Sequence, residues 1–251
     1  VEAPLLEVGL AGRFDATNIV TPLVSAITSI GFDHQQHLGS TLGAIAFEKA
    51  GIIKPGVPVV MAPLPVEADE VVRQVAAERG ARVVRADEGA RMAARMEDGR
   101  AIVEIATPAH HYHPVALGLR GEHQVENALV AIRLLEEANA AGLAVTPGAI
   151  ESGLAGTVWP GRLELIELPG GRRLLLDAAH NADGAAALAR YLSRWHPERP
   201  PLVFAAMRDK DVPAILRSLL PVVGPVVTTA PSSRRAADPD TLAEEVRALD
   251  P

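Results

Sequence analysis

Three observations predict an α/β fold. Hydrophobic residues make up 48% of the 251, yet the aromatics are only four Phe, two Trp and two Tyr. The core must therefore be built from Ala, Val, Leu and Ile, a composition that suits parallel strands covered by helices. Short β-branched runs also alternate with longer segments of helical apolar spacing along most of the chain. The length suits two domains of ordinary size or one large one. A formal charge of −7 gives no basic footprint for nucleic acid, and no apolar run reaches the roughly 18 residues of a membrane span. With no Cys, disulfides, thiolate metal sites and Cys nucleophiles are excluded. No stretch of the sequence reads as a secretory leader, and the cytoplasm is the default expectation.

Taken in order, Pro4 to Val8 reads as a strand, and Gly9 to Asn18 as the loop leaving it. Glu7 is unusual there, because an ionised carboxylate in an apolar strand is costly unless it is salt-bridged, as to Arg13, or bound to a cation. Gly9 and Gly12 could let a ligand approach the backbone. Ala26 to Ile30 has the content of a buried parallel strand, so Asp33 and His34 should leave its carboxyl end, where open α/β sheets keep their sites. Ser40 or Thr41 can cap a helix carrying Leu42, Ile45, Ala46 and Ile53 on one side, with Lys49 late on it. The chain has 3 Lys against 21 Arg. A surviving Lys then hints at chemistry that an always-charged guanidinium does not offer, although a helix-end Lys can equally be a solvated cation.

Gly56 to Ala62 reads as a strand, Val66 to Arg79 as a helix and Ala81 to Arg85 as a further strand. Residues 87 to 119 change character: Glu97-Asp98-Gly99-Arg100 is a hairpin turn signal, and Val115 to Leu119 adds a short strand to a small antiparallel appendage. His110, His111 and His113 tempt a metal reading, but neighbours on an extended segment point to opposite faces. A long helix runs from about Gly121 to Ala141, with His123 and Asn127 four apart near its start. Asn127 offers a donor and an acceptor together, as a nucleobase reader would, or it caps the helix. Thr146 to Leu154 forms a further helix, and the turn residues of Gly156 to Gly161 mark a domain boundary, giving 1–157 and 158–251.

In the second part Leu163–Leu168 and Arg173–Asp177 form a hairpin, and Asp177 and His180 stand at a strand exit before a helix over Asp183 to Arg194. Strand Pro201–Ala206, helix Val212–Leu220, strand Pro225–Thr229 and helix Thr241–Leu249 complete a βα domain. Neither GxGxxG nor GxxxxGK[ST] occurs.

Glu7-Val8-Gly9-Leu10-Ala11-Gly12-Arg13 with Asp15-Ala16-Thr17-Asn18, then Asp33-His34, Glu48-Lys49-Ala50-Gly51, His123 to Asn127, Pro160-Gly161-Arg162 and Asp177 to Asn181 occur in an order that resembles the folylpolyglutamate synthase and dihydrofolate synthase family of the Mur ligase superfamily. The resemblance implies a partial Mur-ligase-like central domain followed by a smaller Rossmann-like α/β domain. It implies an ATP-dependent amide ligase that adds L-glutamate to a folate or dihydropteroate through an acyl phosphate. By the same resemblance Glu7 and His34 hold magnesium, or manganese, and Lys49 is carbamylated at that site. Asn127, Arg162, Asp177 and His180 contact ATP, Asn127 near the base and Arg162 near the phosphates. Lys49, His34 and Arg162 are then the catalytic set. The family's glycine-rich phosphate loop has no counterpart here, so a fragment of a cytoplasmic enzyme, monomeric when complete, is expected. A binding module of the same fold and a cell-wall Mur ligase are the alternatives. Phe14 and Ala182 depart from the family's usual Leu and Pro without touching this chemistry.

Overall fold

The computed structural model describes residues 3–32 and 38–250. The chain folds as two compact units, one of Val1–Met96, Ala101–Gly118 and His123–Thr157, the other of Glu97–Arg100, Leu119–Glu122 and Val158–Pro251.

The first unit is built on a parallel sheet, β1 (Ser25–Ile27), β2 (Val59–Met61) and β3 (Val83–Arg85), in that order. Its strands alternate between two cores. Val59 and Met61 face helices α1 (Leu42–Ala50) and α2 (Val66–Glu78), burying Ile45, Ala46, Val72 and Ala76. Val60 and Val84 face the other layer, where α3 (His123–Ala140) contributes Val125, Leu129 and Ile132. Each fully buried Val or Ile stabilises this arrangement by about 1.5–3 kcal/mol. That double burial is why the strand segments are apolar on consecutive residues.

Further strands β4 (Arg91–Glu97), β5 (Arg100–Ala106) and β6 (His111–Arg120) form the expected appendage. Asp98 (φ 45°) and Gly99 (φ 73°) make the two-residue turn, with both central residues left-handed as such hairpins require. The strand β6 is longer than its apolar core and takes in His111 to His113. Tyr112 points inward and donates its hydroxyl to Glu136 at 3.0 Å, while His111 and His113 lie outside against Glu104 and Glu151. Burial, then Glu136, pushes the Tyr112 phenol up. Helix α4 (Pro147–Gly156) is capped by Thr146.

The second unit has the antiparallel hairpin β7 (Glu164–Leu168) and β8 (Arg172–Leu176) and the parallel pair β9 (Leu202–Phe204) and β10 (Val226–Thr228). Helices α5 (Ala182–Trp195), α6 (Val212–Leu219) and α7 (Pro239–Leu249) bury Ala185, Ile215, Leu216 and Leu242 around Phe204.

Two readings are corrected. Residues 4 to 8 form no strand; Leu5 is 88% and Leu6 46% exposed, so this apolar run has no sheet to join among the described residues. Glu7 is therefore not held in a strand, and it is exposed. Strand β1 covers Ser25–Ile27 rather than Ala26 to Ile30, and Thr28 to Phe32 run on without pairing.

Candidate functional site

The loop after Glu7 is fastened at two places. Asp15 accepts hydrogen bonds from Gly9 N at 3.0 Å, Leu10 N at 3.1 Å, Thr17 N at 2.9 Å and Thr17 Oγ1 at 2.6 Å. Bonds to the ionised form stabilise it, so its pKa falls to about 2, mainly through the Thr17 hydroxyl and N–H, then Leu10 and Gly9. Because the folded value lies below the unfolded one near 3.9, this contribution is complete above pH ~4 and is lost as pH falls toward about 2. We expect amide exchange at Gly9, Leu10 and Thr17, corrected for intrinsic rates, to accelerate in that window. Unchanged protection there would show that Asp15 does not hold the loop.

The second fastening joins the loop to the end of α1. Arg13 N–H donates to Glu48 O at 3.0 Å, and the Asn18 amide donates to Arg13 O at 3.0 Å and Gly51 O at 3.2 Å. A Cβ on Gly12 would lie 2.8 Å from the Lys49 carbonyl oxygen, and one on Gly51 would lie 2.4 Å from Arg13 Cα. The bare Gly12 backbone is thus occupied by a helix end rather than by a ligand. Arg13 does not pair with Glu7 among the described residues; its guanidinium lies 5.4 Å and 5.2 Å from the Phe14 and Phe47 ring centres. Lys49 sits half-buried in the last turn of α1, whose N-terminus Thr41 caps by accepting from Ala44 N.

His34 and its neighbour Asp33 lie outside the described residues. Among the described residues no three His, Asp or Glu side chains come together as a metal site. Asn127 is inside α3 rather than at its cap, is exposed, and donates to Gln124 Oε1 at 3.1 Å. The Gln124 amide in turn donates to His123 Nε2 at 2.9 Å.

In the second unit two hydrogen bonds set the turn that contains Arg162 beside the segment that carries Asp177 and His180. Asp177 accepts from Leu163 N and Ala179 N, both at 2.9 Å, and Ala178 N donates to Gly161 O at 2.8 Å. His180 Nδ1 lies 3.0 Å from Ala178 O, and Asn181 caps α5 through Gly184 N. Sequence reasoning missed the structural parts played by Asp15, Asn18, Gly51 and Leu163. All but Leu163 stand inside the motifs quoted above; the partners of Asp15 are local, whereas Asn18 and Gly51 meet across 33 positions.

A three-layer α/β unit followed by a second α/β unit with polar residues at strand exits is the architecture of a ligase of the Mur type, and the chain belongs to that family. The Mur ligase middle domain matches residues 2–135, and the Mur ligase glutamate ligase domain matches 161–250. Its relatives carry the name that the motif order points to. The dihydrofolate synthase/folylpolyglutamate synthase of Bacillus subtilis is 39% identical over 224 residues, 87% of this chain and 51% of that protein. The structure of Mycobacterium tuberculosis folylpolyglutamate synthase complexed with ADP and AMPPCP is similar at TM-score 0.87 and 33% identity, over 96% of this chain and 55% of that one. A folylpolyglutamate synthase complex with AMPPCP and folate gives 0.84 and 31%, over 98% and 60%. The chain spans about half the length of the curated relatives it matches. No helix among the described residues is long and apolar enough to cross a membrane.

Proposed function

We propose that the chain serves ATP-dependent ligation of L-glutamate to a folate or dihydropteroate in the cytoplasm, with residues 1–157 as the central ligase domain and 158–251 as the glutamate-ligase domain. The observation that carries this reading is the match of both Mur ligase domains, in order, across almost the whole chain. The γ-phosphoryl group of ATP passes to the substrate carboxylate, giving an acyl phosphate and ADP. The glutamate amine then attacks the acyl carbon, phosphate leaves, and the amide forms with loss of the amine proton.

Negative charge sits on phosphate oxygens through both steps, so fixed cationic and hydrogen-bonding groups are the stabilisers that matter. In this reading Arg162 meets the phosphates, Asn127 the base, and Asp177 and His180 complete the nucleotide site. Magnesium, or manganese, would supply further charge neutralisation, held by Glu7, His34 and Lys49. The donors fit in part: Glu7 is an exposed carboxylate, a hard oxygen ligand. Lys49 becomes one only as a carbamate, made when its neutral amine adds to CO2 and releases a proton.

The test is ATP-dependent incorporation of labelled glutamate into folate and dihydropteroate acceptors by the protein carrying this chain. Nucleotide binding without ligation would favour a binding module, and ligation only onto a cell-wall nucleotide precursor would favour the other Mur branch. Arg162→Lys should lower turnover about tenfold or more, because an ammonium cannot reproduce the planar bidentate fork. Wild-type turnover in that variant would remove Arg162 from the phosphate site.

A further inference from the structure

We infer that Gln124 sets which base the nucleotide site accepts, as a positioning residue that fixes the outward edge of the Asn127 carboxamide. An asparagine amide carries an oxygen on one side and an NH2 on the other, and rotation about its last side-chain bond exchanges the two. An amide free to turn meets a donor edge and an acceptor edge of a base equally well. Reading one base over another requires that the rotation be stopped.

The start of α3 supplies the stop. Residues 124 and 127 are three apart, so their side chains meet on one flank of the helix. Gln124 is only 8% exposed, and a buried amide must have its donor and its acceptor engaged. Its Oε1 accepts from Asn127 Nδ2 at 3.1 Å, and its Nε2 donates to His123 Nε2 at 2.9 Å. Turning Gln124 over would set its NH2 against the Asn127 NH2, so the His123 bond locks Gln124 and Gln124 locks Asn127. Asn127 is the exposed end of this chain of bonds. With one amide hydrogen engaged by Gln124, it keeps Oδ1 and one N–H to present. That pair complements adenine, whose amino group donates to Oδ1 while the neighbouring ring nitrogen accepts the N–H. Hypoxanthine carries a carbonyl oxygen in place of the amino group, so two acceptors face each other and one bond is lost. Gln124 thereby separates the two bases by acting through Asn127.

This rests on the reading that Asn127 meets the base, and the experiment separates the two. Displacement of a fluorescent nucleotide from the protein carrying this chain gives the affinities of ADP and of inosine diphosphate for wild type, Asn127→Ala, Gln124→Met, Gln124→Glu and the double variant Gln124→Met/Asn127→Ala. Methionine matches glutamine in length, suits a helix and removes both polar atoms. In Gln124→Met the preference for ADP should fall about tenfold, the size of one well-placed hydrogen bond. The affinity for inosine diphosphate should hold. Glutamate turns an acceptor toward Asn127 in either orientation, so Gln124→Glu should keep the preference. The double variant should discriminate as Asn127→Ala does. Equal losses for both nucleotides in Gln124→Met would overturn the proposal, because Gln124 would then be supporting the helix alone. An unchanged preference in that variant, or a lost one in Gln124→Glu, would overturn it as well. If Asn127→Ala discriminates as wild type does, the base reading itself fails and takes the proposal with it. Should Gln124→Met not fold, Gln124→Asn draws the acceptor back by one methylene and must show the same selective loss.

Discussion

Lys49→Ala should reduce glutamate ligation by about a hundredfold or more, the scale seen when one charge-stabilising group is removed from a reaction centre. Lys49 is half-buried in the last turn of α1, and its carbonyl is held against Gly12, so the root of the side chain is fixed. An ammonium about 4 Å from a metal ion would repel it by about 4 kcal/mol per unit charge at an effective dielectric of 20. A carbamate on the same nitrogen reverses that sign and offers oxygens that magnesium prefers. Labelling with carbon-13 bicarbonate should therefore give a carbamate signal that vanishes in Lys49→Ala, and short carboxylates should restore part of that variant's activity. Arginine does not form the adduct, so Lys49→Arg should be as impaired as Lys49→Ala. An active preparation without a labelled adduct, or full activity in Lys49→Arg, would defeat the carbamate.

What was legible in the sequence was whatever local pattern decides. The helical spacing of Ala68, Val72, Val75 and Ala76 places α2, and Asp98-Gly99 places a hairpin because few other pairs accept two left-handed residues in succession. The run Pro4 to Val8 shows the limit of such patterns. Its apolar content is that of a strand, yet pairing depends on a neighbour that local sequence does not reveal, and its leucines lie exposed. Strand ends were overrun for a related reason: Thr28 to Ile30 continue the β-branched content of β1 after the parallel partner Met61 has ended the pairing. For function, motif order named Lys49, Asn127, Arg162, Asp177 and His180 as candidates. The bonds that hold the segments around them were not readable. Leu163 carries no sign of its left-handed backbone, and Asn18 meets Gly51 across 33 positions of chain. The order of the motifs therefore pointed to a family, while the positioning bonds required coordinates.

The second large effect concerns Gly51, where a single methyl should cost the first unit about 3 kcal/mol through overpacking and lost hydrogen bonds. Backbone conformation is not the reason, because Gly51 has φ −56° and ψ −20°, ordinary right-handed values open to any residue. Replacing glycine there even restricts the unfolded chain and should by itself favour folding by about 0.4–1 kcal/mol. Space decides against it. A Cβ on Gly51 would lie 2.4 Å from Arg13 Cα, 2.5 Å from Arg13 Cβ and 2.7 Å from Arg13 N, and backbone atoms cannot turn away as a side-chain tip can. The loop must lift, which breaks the Arg13 N–H bond to Glu48 O and the Asn18 amide bond to Gly51 O. Gly153→Ala in α4 supplies the comparison. Nothing lies within 4 Å of its Cβ position, so only propensity acts and the change should stabilise by about 0.5–1 kcal/mol. Chemical denaturation of the two variants should therefore move the transition in opposite directions. If Gly51→Ala unfolds with wild type or later, the loop is not packed on the helix end, and the fixed root assigned to Lys49 goes with it.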